Sequence, residues 1–256
     1  MDYTRESIIE SLQSISTSGW ISNYRSTSSG NAGNILEDLL GIVENNLPLP
    51  DAGEYEIKCQ RVKCSPTSLL TLFHLEPEPR DVKVVQYFVK NFGWPPVEWR
   101  ANYSADERSF RQTINGMTFS DRGFKVRVDR SVAQVQVIFD RTMVSTGNMS
   151  WLDNISPVSD IIPHWTFQDL EEKIHLKLKN MFYVLALTKM DNDRECFKYS
   201  DVTELVGISF ERFLEQIERG SILVDFDART NRNHGTKFRI RHDQLPNLYD
   251  EVRNIV

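Results

Sequence analysis

The sequence predicts a mixed α+β fold, with a mixed central sheet flanked by helices. Three observations carry that expectation. Several runs alternate apolar and polar residues with the period of a half-buried strand, most clearly "GFKVRV" and "AQVQVIFD". Other stretches repeat apolar residues at helical spacing, between capping residues and glycine stops. Strands and helices follow one another without the strict alternation of a parallel α/β fold.

In chain order, Thr4 is placed to cap a helix running to about Ile15. Ser16 to Asn34, rich in Ser, Gly and Asn, reads as a connection. A short helix follows, with Ile35, Leu36, Leu39 and Leu40 on its apolar face and Gly41 as its stop. Strands are expected from Tyr55 to Val62 and from Ser68 to Leu75. Arg80 to Gly93 reads as a helix closed by Trp94-Pro95-Pro96, with Tyr87, Phe88 and Phe92 as core residues. "SFRQTI", "GFKVRV" and "AQVQVIFD" are expected to form an antiparallel meander. In it Phe124, Val126 and Val128 share one face, and Val135, Val137 and Phe139 do likewise. Met143 to Trp165 is loop-rich and a candidate boundary. Thr166 caps the next helix, Met181 to Met190 is a buried strand, and Ser209 to Gly220 bounds an amphipathic helix. "SILVDFDAR" and "TKFRIRH" read as strands, and Leu245 to Arg253 as a final helix.

The 256 residues suffice for one large domain or two packed lobes, and 26% charged with 40% hydrophobic residues is a globular mix. No apolar run reaches the roughly 18 residues of a membrane span. The N-terminus lacks the basic and apolar regions of a signal peptide, so a cytoplasmic protein is expected. Cys59, Cys64 and Cys196 show no CxxC spacing, which fits a reducing compartment and disfavours a zinc site. The net charge of -6 argues against bulk binding to nucleic acid, but cations are grouped. Arg229 to His242 carries Arg229, Arg232, Lys237, Arg239 and Arg241 without an acid; Arg122, Lys125, Arg127 and Arg130 form a second group. Such stripes are either solvated faces or a grip on DNA phosphates.

The chemistry centres on "LPDAGEYEIK", Leu49 to Lys58. Two readings stand: a solvated turn entering an ordinary strand, or a divalent-metal site. Alternation puts Glu56 and Lys58 on one strand face and Tyr55 and Ile57 on the other, while the Ala52-Gly53 turn lets Asp51 fold back. Two converging carboxylates make a hard oxygen site suited to Mg²⁺. Beside them Lys58 can orient a water or offset charge on a phosphate, as metal-assisted phosphodiester hydrolysis requires.

"NILEDLLGIVENNLPLPDAGEYEIKCQR", Asn34 to Arg61, resembles the PD-(D/E)xK nucleases and more closely the MvaI/BcnI restriction endonucleases, with the mismatch-repair nickase MutH as a cousin. A second element, "RNHGTKFRIR", Arg232 to Arg241, resembles that family's His-Gly-Thr-x-Phe-Arg element in the DNA-recognition lobe. The resemblance implies a restriction-endonuclease-like core in two lobes around a DNA cleft. It makes Asp51, Glu56 and Lys58 the catalytic core and Glu37 a supporting acid. Asp51, Glu56 and the Ile57 carbonyl would hold Mg²⁺. It further implies a monomer that cuts one strand at a time in short, nearly palindromic, G/C-rich double-stranded DNA, leaves 5′-phosphates and has a cognate methyltransferase as genetic partner. Cys59 stands where a small polar residue is expected after the lysine.

The expected division is residues 1–165 for the N-terminal helix and catalytic lobe, and 166–256 mainly for recognition, with the lobes free to interleave. Asp225, Asp227 and Arg229 share a strand face, either as a salt-bridged surface or as readers of a G·C pair. Lys237, Arg239 and Arg241 share another and can meet bases or phosphates. Arg232, His234 and Thr236 are assigned to DNA through the matched element. His74 is a DNA contact or a strand-edge histidine; Arg61 and Lys63 contact phosphates or form a solvated edge. The rival functions are a MutH-like nickase, a non-catalytic DNA-binding protein and a carbohydrate or phosphate enzyme.

Overall fold

The structure is a computed structural model that describes residues 3–25, 30–42, 49–62, 68–95, 104, 106–155 and 161–256. Lys63 and Cys64 lie outside them. In chain order come α1 (Arg5–Thr17), β1 (Ile21–Ser22), α2 (Asn31–Leu39), β2 (Tyr55–Arg61), β3 (Leu69–His74) and α3 (Val84–Phe92). Next are β4 (Ser109–Asn115), β5 (Arg122–Asp129), β6 (Gln134–Val144), α4 (Met149–Leu152), β7 (His164–Thr166) and α5 (Phe167–Leu178). The chain continues through β8 (Asn180–Asp191), β9 (Arg194–Ile208), α6 (Phe210–Glu218), β10 (Ile222–Arg229), β11 (Arg232–Asn233), β12 (Lys237–Arg241) and β13 (Tyr249–Asn254). The mixed α+β expectation holds. No helix among the described residues is long and apolar enough to cross a membrane.

The chain forms two compact units. One comprises residues 1–68, 171–210 and 242–256; the other comprises 69–170 and 211–241. The chain therefore crosses between units four times.

The first unit is built on a mixed sheet in the order β1-β9-β8-β2, with β13 also on β9. β2 runs parallel to β8, and every other pairing is antiparallel. α1 follows its sequence signals: Thr4 and Ser7 form a reciprocal capping box, and Ile8, Leu12 and Ile15 make one buried stripe. That stripe packs with Ile35 and Leu36 of α2 and with Ile57, Phe182, Phe197 and Val202 of the sheet. α2 starts earlier than expected, because Asn31 and Ala32 are buried with this core and Tyr199 Oη donates to the Ala32 carbonyl at 2.8 Å.

One strand was not expected, and one expectation fails. β9 went unforeseen. It pairs with β8 through a tight turn at Asn192 and Asp193, both at positive φ, as hairpins prefer. The expected final helix is instead a 3₁₀ segment, His242–Leu248, followed by β13. Pro246 lacks the amide hydrogen a regular helix needs, and the next residues pair along β9.

Charged residues obscure β9, and one of them is buried. Glu204 is 0% exposed at its side chain; Arg5 donates to it through two nitrogens at 2.6 and 2.7 Å, Tyr55 Oη at 3.3 Å and Arg253 at 3.4 Å. Burial alone would raise the Glu204 carboxyl, but the Arg5 and Arg253 guanidinium groups outweigh it and hold it below its ordinary 4.5. A carboxyl depressed in the folded state contributes stability above its ordinary value and loses it as pH falls through the folded one. Glu204→Gln is therefore expected to lower the thermal midpoint at neutral pH, with the gap to wild type closing below pH 4.5. A gap independent of pH would contradict this.

The second unit has an antiparallel sheet in the order β11-β10-β12-β3, with β4 also on β10, and a separate sheet β5-β6-β7. The meander is thus only partly realised. β4 leaves it to pair with β10 from Ser109↔Arg229 to Asn115↔Leu223, and β7, from the loop-rich stretch, joins β6. Phe88, Phe92, Phe110, Phe124 and Phe226 form an aromatic core between α3 and these strands, as the spacing of Phe88 and Phe92 predicts.

Candidate active site

The turn before β2 is closed by paired backbone hydrogen bonds between Ala52 and Tyr55, both at 2.9 Å. Gly53 sits at φ +59, and a Cβ there would lie 2.8 Å from the Tyr3 carbonyl oxygen. Only glycine fits without strain. The turn brings Asp51 back along β2, where its Oδ2 accepts from the Ile57 amide at 3.0 Å. Tyr55 and Ile57 face the core, and the Tyr55 ring meets Phe182 at 4.7 Å. Glu56 and Lys58 take the other face, as alternation predicts.

Glu56 is 0% exposed at its side chain. Its Oε1 accepts from Lys58 and lies 3.3 Å from Lys177 Nζ on α5. Its Oε2 is buried with no hydrogen-bond partner among the described residues. Burial pushes the Glu56 carboxyl upward; the Lys58 ammonium opposes the shift, Asp51 adds to it and Lys177 opposes it. Burial draws Lys58 down, but Glu56, Asp51 and Glu37 outweigh burial and hold the ammonium above its ordinary value. Three carboxylates from α2, the turn and β2 therefore act on one lysine. As an ammonium, Lys58 can donate a hydrogen bond to a water or a phosphate oxygen.

An unpartnered buried oxygen on Glu56, the neighbouring Asp51 and the Ile57 carbonyl fit a hard divalent ion that keeps water or phosphate oxygens in its remaining positions. No cluster of three or more His, Cys, Asp or Glu with metal-holding geometry occurs among the described residues. Lys177 escaped the sequence reading. Its only signal there is the pair Lys173 and Lys177, one turn apart on α5.

Arg61, on the same strand, is held inside the unit: it bridges to Glu195 at 2.8 Å and stacks over Phe197 at 5.3 Å.

The second unit carries the other assigned residues. Val224, Phe226 and Ala228 are buried, while Asp225, Asp227 and Arg229 line the opposite face. Arg239 meets Asp225 at 3.1 Å; Lys237 and Arg111 meet Asp227 at 3.7 and 2.8 Å; Arg229 meets Glu107 at 3.4 Å. Thr113 also donates to Asp225 at 2.9 Å. The face is thus a network of half-exposed ion pairs across β4, β10 and β12. Arg111 joined it through a long-range pairing invisible in the sequence.

At its end, the "NHGT" turn bends at Gly235, φ +86, where a Cβ would lie 2.7 Å from His74 Nδ1. His74 and the C-terminal motif are therefore neighbours, and both His74 and His234 are exposed. Arg232 and Arg241 are exposed as well. Thr236 is different: it is 1% exposed, and Glu76 accepts from its amide at 2.9 Å and its hydroxyl at 3.2 Å. Burial and Glu76 thus set Thr236 apart from the exposed residues assigned to DNA. Glu76, which also accepts from Asn233 at 3.1 Å, is the missed residue that fixes the turn.

The MvaI/BcnI restriction endonuclease family model matches residues 9–249. The chain belongs to that family. As a member it is a type II site-specific deoxyribonuclease. Among solved structures, a restriction endonuclease MvaI–cognate DNA complex is similar at TM-score 0.79 and 24% identity, covering 99% of each chain. Restriction endonuclease MvaI in the absence of DNA is similar at TM-score 0.58 and 24% identity, covering 98% of this chain and 97% of that one. These likenesses bear on the fold, and they agree with the restriction-endonuclease core expected from the two motifs. A comparison with curated proteins gives no match.

Proposed function

We propose that this MvaI/BcnI-family chain hydrolyses double-stranded DNA at Asp51, Glu56 and Lys58 with Mg²⁺. The observation that carries the reading is the buried, unpartnered Oε2 of Glu56 beside Asp51, with the Lys58 side chain bonded to the other oxygen of the same carboxylate. Asp51, Glu56 and the Ile57 carbonyl hold the ion. Mg²⁺ there supplies polarisation of the scissile phosphate and of a bound water. Lys58 donates to the attacking water or to a phosphate oxygen and positions it. Glu37 helps keep Lys58 protonated. The product is a 5′-phosphate.

The ion-paired face of the second unit reads a short G/C-rich site: arginine donates twice to guanine, and a neighbouring aspartate accepts from cytosine N4. Arg229, Arg239 and Lys237, with Asp225 and Asp227, are the readers. His74, Arg232, His234 and Arg241 stand at the edge, suited to bases or phosphates. The enzyme acts as a monomer that nicks one strand before the other, in a prokaryotic cytoplasm where a cognate methyltransferase protects the host site.

Plasmid and phage DNA incubated with the purified protein and Mg²⁺ is expected to give discrete fragments. These vanish with EDTA and with Asp51→Ala. Intact DNA across many sequences and divalent metals would overturn the proposal, and a stable dimer making concerted double-strand breaks would overturn the monomer.

A further inference from the structure

The carboxylate of Glu56 is held unevenly. Two ammonium groups, Lys58 from its own strand and Lys177 from α5, converge on Oε1, while Oε2 has no hydrogen-bond partner among the described residues. Lys177 is itself largely covered, with a side chain 19% exposed. A long flexible lysine loses side-chain entropy when held in such a place, so its position needs a compensating interaction, and Glu56 supplies one. Lys58 has a second task under the proposed function, at the water or the phosphate. A single ammonium cannot serve the phosphate side and pin the carboxylate equally well.

We propose that Lys177 is a positioning residue for the metal ligand Glu56. It holds Oε1 so that the carboxylate presents Oε2 to the metal, and it leaves the Lys58 ammonium available to the reacting groups. The inference rests on the metal site proposed above. Partners that orient a metal ligand without touching the metal commonly matter for affinity nearly as much as the ligands do.

The test is Mn²⁺ uptake by the full-length protein without DNA, read from the loss of the free-ion paramagnetic resonance signal. Wild type, Asp51→Ala, Lys177→Met and Lys177→Arg are compared, with thermal midpoints recorded for each. Lys177→Met is expected to weaken Mn²⁺ binding on the order of tenfold or more at a wild-type midpoint. Lys177→Arg, which keeps a cation on Oε1, is expected to restore most of the affinity. In cleavage assays Lys177→Met should raise the Mg²⁺ concentration for half-maximal rate more than it lowers the maximal rate. Wild-type Mn²⁺ affinity in Lys177→Met, while Asp51→Ala loses it, overturns this inference alone. So does failure of Lys177→Arg to restore binding when its midpoint is normal. No Mn²⁺ uptake by wild type, or equal uptake by Asp51→Ala, overturns the metal site and this inference with it.

Discussion

Glu56→Gln is expected to lower DNA cleavage on the order of a thousandfold, about 4 kcal/mol of transition-state stabilisation. The change is close to isosteric, so the loss would come from charge and donor properties and not from a cavity. An amide offers one oxygen where the carboxylate offers two, and it carries no negative charge toward a cation. The same substitution has an opposite effect on stability. Burial raises the Glu56 carboxyl in the folded protein despite Lys58 and Lys177. A raised carboxyl costs the folded state stability once pH exceeds its ordinary value, because the charged form is the disfavoured one. Glu56→Gln should therefore raise the thermal midpoint at neutral pH, and the gain should shrink as pH falls through the carboxyl range. Wild-type cleavage rates would remove Glu56 from the site. A lower midpoint at neutral pH would show that the two lysines stabilise the carboxylate more than burial penalises it. The opposing pattern, less activity with more stability, marks a residue kept for chemistry at the expense of the fold.

Phe110→Ala is expected to destabilise the second unit by about 3–5 kcal/mol. Phe110 is fully buried and meets Phe88 at 4.9 Å, Phe124 at 5.2 Å, Phe226 at 5.4 Å and Trp94 at 5.7 Å. No single neighbour can move to fill its volume without leaving the others. Total stabilities are typically about 5–15 kcal/mol, so the loss is large. Under the proposed function it would reach DNA binding as well, because Phe110 and Phe226 lie on β4 and β10, whose opposite faces carry Arg111, Asp225 and Asp227. Denaturant titration measures the loss as a shifted midpoint, and Phe110→Leu should recover much of it. A shift worth less than about 1 kcal/mol would mean that the ring cluster is loosely packed.

The geometry of the turn and strand from Asp51 to Lys58 was readable because its logic is local. Strand alternation separates Glu56 and Lys58 from Tyr55 and Ile57, and a glycine two residues after Asp51 permits the fold-back. The alternation of β10 likewise revealed which side carries Asp225, Asp227 and Arg229. What escaped depends on distant partners. Lys177 is one of several charges on α5, and nothing in helical spacing says which one reaches a buried carboxylate on β2. β9 was hidden because Glu204 looks like a surface residue until Arg5 and Arg253 cover it. Thr236 looked like a surface contact until Glu76, far away in the chain, closed over it. β4 looked like a neighbour of β5 because they are adjacent in sequence, whereas its partner β10 comes much later.

The two units are woven from alternating stretches of chain, so neither corresponds to one cassette of coding sequence. The ion-paired face draws on residues 69–170 and 211–241, and the turn and strand of Asp51 and Glu56 belong to a unit completed only by residues 171–210 and 242–256. If that face reads DNA as proposed, a crossover that exchanges specificity between relatives must replace two separate inserts together. A single breakpoint would leave β10 without the β4 it pairs with. On that reading, target-site drift is expected to proceed by point substitution on β4, β10 and β12 more readily than by module shuffling, and engineering of specificity has to transplant both inserts or neither.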